Sequence, residues 1–119
     1  MDNSPLQQFT ELRPWGQFTQ FTHNEPSTVK IINVDAGHSL SLQFHRHRSE
    51  YWYVISGTGT AVIGKQLIDL VVGQTYTVPV TVHHRISATT QLQILEIGIG
   101  MFDELDIVRL SDNYGRQVS

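Results

Sequence analysis

Residues 37–57, GHSLSLQFHRHRSEYWYVISG, bring Gln43, His45, His47, Glu50 and three consecutive aromatics into one short stretch. Ser39, Ser41, Gln43, His45 and His47 alternate with Leu40, Leu42 and Phe44, the period-two pattern of a strand. Side chains two apart on a strand share a face, so Gln43 and His45 lie about 7 Å apart on the same side. Imidazole nitrogen and amide oxygen can converge on one divalent ion if a turn supplies more donors, and Glu50 stands just past such a turn. The same parity also admits His47. Two ligand sets are open at this point: Gln43 with His45 and Glu50, or His45 with His47 and Glu50.

The elements that position these groups follow from the same parity. If Gln43, His45 and Glu50 look inward, then Leu40, Leu42, Phe44, Tyr51, Tyr53 and Ile55 look outward. A row of apolar side chains is not left to water. Either an N-terminal arm covers it or a second copy of the chain does, and a symmetric homodimer is the commoner solution. Tyr51, Trp52 and Tyr53 read as core and interface before they read as a sugar platform.

Around this stretch the chain divides into short strands. Residues 1–12 read as a polar arm, and Arg13-Pro14-Trp15-Gly16 as a turn. Strand patterns follow at 17–22, 28–34, 60–63, 66–72, 75–78, 84–87 and 92–99, separated by Gly, Pro, Asn and Asp clusters. No amphipathic helix interrupts them before residue 101. Many short strands at close spacing predict an all-β sandwich or barrel. The tail from residue 101 is charged and turn-rich, and Ile107, Val108 and Leu110 suggest that it packs back on the body.

Composition narrows the function. With 119 residues the chain reads as one domain, able to bury roughly two thirds of its unfolded surface. The absence of cysteine excludes thiolate metal sites, disulfides and cysteine nucleophiles, and is compatible with a cytoplasmic location. No signal peptide or membrane-length apolar run is visible. Eight basic against eleven acidic residues give a net charge of −3, which provides no global field for nucleic acid.

Other residues carry chemistry outside the opening stretch. Glu96 shares a face with Leu92 and Ile94 on an otherwise apolar strand. It reads either as a desolvated general acid/base or as a structural carboxylate paired with Arg109 or Arg116. Lys30, Arg48, Arg85, Arg109 and Arg116 could form a phosphate site, since guanidinium forks match phosphate oxygens. Arg85 alternates to the face opposite His84. Asp106, Arg109, Asp112, Tyr114 and Arg116 also read as a salt-linked clasp.

Two spacings then carry a resemblance. Gly37, Gln43, His45, Glu50 and Gly57 are spaced as in the first cupin motif, with Gln in place of the usual first histidine; Gly73, Pro79 and His84 resemble the second. Together with RPWG, LSLQFHRHRSEYW, VPVTVHHRI, the Leu95-Glu96-Ile97 strand and DIVRLSDNYGR, the chain resembles the C-terminal cupin domain of type II phosphomannose isomerases over residues 13–116. Thr81 stands where the second motif often has Gly, Ala88 where it has Asn, and Gly98 where a Gln is usual.

The resemblance implies a cupin double-stranded β-helix, a jelly-roll barrel over 13–100, with an arm at 1–12 and a clasp at 101–119. It implies one divalent metal held by Gln43, His45, Glu50 and His84, zinc first, with manganese, cobalt, nickel or iron as alternatives. The activity expected is interconversion of mannose 6-phosphate and fructose 6-phosphate. Glu96, then His47, would serve as base and Arg109 as a further catalytic group, with Lys30, Arg48, Arg85, Tyr114 and Arg116 on the substrate. In that family the domain is commonly fused behind a mannose-1-phosphate guanylyltransferase. That half is not in this sequence, so the chain is not expected to make a nucleotide sugar by itself. A non-haem iron(II) oxygenase and a catalytically silent sugar-binding module are the rival readings. The partners expected are a phosphosugar and a second copy of the chain, with no nucleic acid or membrane.

Overall fold

Turn residues divide the chain into strands as anticipated; Gly64, at φ 62°, opens the two-residue connection between the hairpin strands 59–63 and 66–70. The computed structural model describes residues 8–114. Its strands are β1 Phe9–Arg13, β2 Gly16–Gln20, β3 Ser27–Val34, β4 Leu42–Phe44, β5 Arg48–Ser56, β6 Gly59–Ile63, β7 Gln66–Leu70, β8 Thr75–Val78, β9 His84–Ala88, β10 Leu92–Gly100 and β11 Val108–Ser111. β1 and β2 form a hairpin. The body has a four-stranded sheet, β3-β10-β5-β8, and a five-stranded sheet, β11-β4-β9-β6-β7. All strand pairs are antiparallel, and the architecture is the all-β cupin jelly roll.

The core occupies one end of the barrel. Trp52 and Val54 of β5, Ile86 and Ala88 of β9, Leu92 and Ile94 of β10, and Val34 of β3 are buried together. The same inward positions, two residues further along, carry Glu50, His84, Glu96 and, beyond Ile32, Lys30. Each of these strands therefore has an apolar and a polar half on one face. That change of composition along the strand turns half of the interior into a site.

Three expectations are corrected. Residues 9–12 are not an irregular arm, because Phe9–Arg13 pairs with Gly16–Gln20 around Pro14 and Trp15. The strand expected over 39–47 is shorter: only Leu42–Phe44 is extended in a ladder, and residues 45–47 turn. Leu40 does not face outward but packs against the core. Tyr51 is buried and Tyr53 half-buried, and Phe21, following the hairpin, lies on both, with ring centroids 6.0 and 6.3 Å away. The Tyr51 hydroxyl also bonds the backbone of Gln8. The N-terminal region thus covers this part of the row.

The tail does pack back. β11 pairs with β4, placing Arg109 opposite Gln43, so it is a strand of the five-stranded sheet. Among the described residues, no helix is long and apolar enough to cross a membrane.

Candidate metal centre

Three elements meet at the polar end of the barrel. His45 follows β4, Glu50 is on β5 and His84 opens β9 opposite Gln43. All three are buried, and their ligand atoms lie within 4.8 Å of one another. His45 Nδ1 is 2.6 Å from the Asp106 carbonyl, and His84 Nδ1 is 2.9 Å from the Val82 carbonyl. A carbonyl only accepts, so both Nδ1 atoms carry the proton and both Nε2 atoms present lone pairs. These point at Glu50, with Nε2 to carboxylate distances of 3.7 Å from His45 and 3.5 Å from His84.

That donor set fits a divalent ion. His84 Nε2 is buried with no hydrogen-bond partner, an arrangement that is unfavourable for an imidazole but natural for a ligand. Burial pulls both histidines down to about 4, assisted by the Arg48 charge, so both are neutral and competent to bind a cation at neutral pH. Two nitrogens and a carboxylate suit several first-row ions. Gln43 lines the same cavity, and its Oε1 accepts from Ser41 Oγ at 2.6 Å.

Asp106 builds the turn that presents His45. Its carboxylate oxygens accept from the Arg46 and His47 amides at 2.8 and 2.9 Å. Although burial works against it, those two amides hold its carboxyl below the usual carboxylate range. The turn also decides the rival ligand set. Period-two parity ends with β4, and His47 comes out exposed, away from the triad.

Glu96 is the second carboxyl of the site. Burial, then the charge of Glu50, raises it to about 8, so at neutral pH it keeps its proton and donates it to Glu50. Burial raises Glu50 as well, opposed by Arg48 and by the Trp52 indole, whose Nε1 donates at 3.4 Å. The partner of Glu96 is therefore the Glu50 carboxylate, not Arg109.

A cavity of about 420 Å³ opens on these groups. Lys30, Arg48 and Arg109 all line it. Arg48 is buried, with Nε 3.6 Å from Glu50 and Nη2 donating to His45 Nε2 at 3.3 Å. The buried Nε of Arg109 has no hydrogen-bond partner. Arg85 is not brought to the cavity: it donates to the Leu40 carbonyl and to Ser111 on the other face of β9. Tyr114 is not there either; its hydroxyl is 2.8 Å from His38 Nδ1 and it lines a separate groove. Arg116 lies outside the described residues.

Phe102 was not visible as a site residue in the sequence, being one aromatic in a charged tail, yet it lines the cavity with both Lys30 and Arg48 against its ring. The departures from the motif also find their places. Ala88 is a core residue remote from the cavity. Gly98 pairs with Glu50, and a Cβ there would touch Arg48 Cδ at 3.5 Å, so the arginine stem lies over the glycine. Thr81 adopts φ 67°, the left-handed conformation that Gly takes freely, while its amide donates to the His45 carbonyl at 2.8 Å.

A sequence family described as mannose-6-phosphate isomerase C-terminal matches residues 2–112. The chain belongs to that family. Within it, 107 residues are 38% identical to the xanthan biosynthesis protein XanB of Xanthomonas campestris pv. campestris, covering 87% of this chain and 23% of that protein. A mannose-1-phosphate guanylyltransferase from Salmonella montevideo is 36% identical over the same length, with 87% and 23% covered. The chain thus spans less than a quarter of the curated relatives it matches. Among solved structures, a candidate sugar phosphate isomerase from Acidithiobacillus ferrooxidans superposes with TM-score 0.57 at 24% identity, over 63% of this chain and 51% of that one. The salicylate 1,2-dioxygenase of Pseudaminobacter salicylatoxidans superposes with TM-score 0.58 at 21% identity, over 60% and 20%. These two likenesses show the shared cupin fold. The family link is to mannose-phosphate isomerases, through a C-terminal domain.

Proposed function

We propose that this domain interconverts mannose 6-phosphate and fructose 6-phosphate. The observation that carries the reading is one cavity lined by His45 and Glu50 of the His45–Glu50–His84 cluster, by a separate carboxyl on Glu96 and by three cationic side chains. A divalent ion bound by the triad, with Gln43 as the proposed fourth ligand, would supply polarisation of the sugar's C1 and C2 oxygens. Zinc is the proposed ion.

The chain's own groups do the rest. Lys30, Arg48 and Arg109 neutralise the phosphate and fix the sugar's position, so that binding energy is used to orient the reacting carbons. Glu96 touches Glu50 without belonging to the ligand set. With the Glu50 charge that raises it offset by a divalent ion on the triad, the carboxylate so freed would take the C2 proton and return it to C1 through an enediol. Trp52 and the apolar half of the barrel close the floor against water.

The experiment is a coupled assay on mannose 6-phosphate with a panel of divalent ions, together with exchange of the C2 proton into solvent. Isomerisation without oxygen uptake supports the proposal, and free mannose should be turned over far more slowly. Oxygen consumption would transfer the site to iron(II) oxygenase chemistry. Phosphosugar binding with no turnover under any metal would make this a silent module.

A further inference from the structure

Phe102 sits on the loop between β10 and β11 and lines the cavity that opens on His45 and Glu50. Lys30 Nζ lies 4.3 Å and the Arg48 guanidinium carbon 4.6 Å from its ring centroid. The two cations come from β3 and β5, which are not neighbours, since β10 runs between them. A lysine stem has many rotamers and two like charges repel, so the sheet alone does not hold both over one point. An aromatic face, negative at its centre, offsets both. The same loop fixes Arg48 a second time, where Nη1 donates to the Asp103 carbonyl at 3.2 Å. The Arg48 Nε, 3.6 Å from Glu50, holds the guanidinium at the cavity wall from a third side.

We propose that Phe102 is a positioning residue that holds Lys30 and Arg48 together as a two-cation seat for the phosphoryl group of the substrate. This rests on the sugar-phosphate reading of the cavity and adds where in it the anion sits. A phosphate monoester carries close to two negative charges and three acceptor oxygens, and takes hydrogen bonds from an ammonium and a guanidinium at once. Of the carboxylates lining the cavity, Glu50 belongs to the triad and Glu96 bonds to Glu50. Glu104, the third, is exposed on the Phe102 loop, where water screens it.

The test titrates inorganic phosphate, mannose 6-phosphate and free mannose into the metal-free and the zinc-loaded chain by calorimetry. Phe102→Leu keeps apolar bulk but removes the ring face. It should weaken phosphate and mannose 6-phosphate by about 5–10-fold while leaving free mannose and zinc affinity unchanged. Phe102→Tyr should restore binding to within about twofold. In turnover, Phe102→Leu should raise KM by the same factor with little change in kcat, the signature of lost uniform binding. Lys30→Met should also weaken phosphate. Combined with Phe102→Leu, it should weaken by less than the product of the single effects, because the ring acts through the lysine.

Three results would overturn the seat: no phosphate binding by the wild type, equal weakening of free mannose, or full additivity with Lys30→Met. If Phe102→Leu loses its cooperative melt, Phe102→Tyr and Lys30→Met decide the matter with the same probes. Weakened phosphate binding in a protein that isomerises nothing keeps the seat and removes the isomerase reading. Isomerisation with an unchanged KM in Phe102→Leu does the reverse.

Discussion

His45 donates its Nδ1 proton to the backbone carbonyl of Asp106, 2.6 Å away and 61 residues along the chain. The segment leading into the last described strand thus sets the tautomer and orientation of a candidate ligand near the middle of the sequence. The carboxylate of the same residue closes the turn after that ligand. Outer hydrogen bonds of this kind fix ligand orientation and tune affinity.

Asp106→Ala keeps the carbonyl but strands two amide donors. It should lower stability by about 1–3 kcal/mol and weaken metal binding ~10–100-fold. Asp106→Asn, with one acceptor oxygen where there were two, should fall between. Zinc competition titrations beside thermal melts check both, and unchanged zinc affinity in Asp106→Ala would separate the turn from the site.

Purified protein should carry one tightly held divalent ion per chain. Loss of His45, Glu50 or His84 to Ala should abolish retention through gel filtration, and Gln43→Ala should weaken it more than His47→Ala, which removes an exposed side chain. Elemental analysis decides this. A chain that binds none of zinc, manganese, cobalt, nickel or iron(II) at micromolar concentration refutes the centre.

The pH dependence of the chelator-treated chain has a definite sign. Glu96 keeps its proton to about 8 in the fold, against 4.5 when unfolded. Between those values the folded state binds more protons, so this contribution to stability falls as pH rises. His45 and His84 act oppositely: they take up protons only near 4, against 6.5 when unfolded, so their contribution falls as pH drops below 6.5. The two effects oppose each other below 6.5, and the carboxyl effect stands alone above it. Urea midpoints should therefore decline from pH 6.5 to 8, and Glu96→Gln should remove most of that slope. A flat wild-type profile would falsify the assignment.

Thr81 holds a left-handed backbone that costs a β-branched residue about 1–2 kcal/mol. Gly relieves it at an entropic cost of about 0.5–1 kcal/mol. Thr81→Gly should therefore raise the melting temperature by up to a few degrees without altering zinc affinity. A lower melting temperature would mean that the Thr81 hydroxyl, 2.6 Å from the Val80 carbonyl, matters more than the strain.

A homodimer is the proposed assembly, through the half-buried Leu42 and Phe44. Leu42→Asp should convert it to monomer in sedimentation at micromolar concentration. A monomeric wild type would show that Phe21 and the N-terminal hairpin cover the row on their own.

The sequence by itself determined what local chemistry determines. Short β-branched runs between turn residues gave the strands and the all-β class, and motif spacing identified His45, Glu50 and His84. Strand parity holds only while the chain stays extended. It failed at His47, because a turn made by Asp106 lies between β4 and β5, and at Leu40, which lies outside the β4 ladder. Only the tertiary structure decided which charges meet. Barrel closure puts Glu96 against Glu50 and Lys30 and Arg48 against Phe102, while it turns Arg85 and Tyr114 elsewhere. These are contacts between strands distant in sequence, and no local pattern encodes them. They arise because polar half-strands, excluded from the apolar core, are left facing one another at the open end of the barrel.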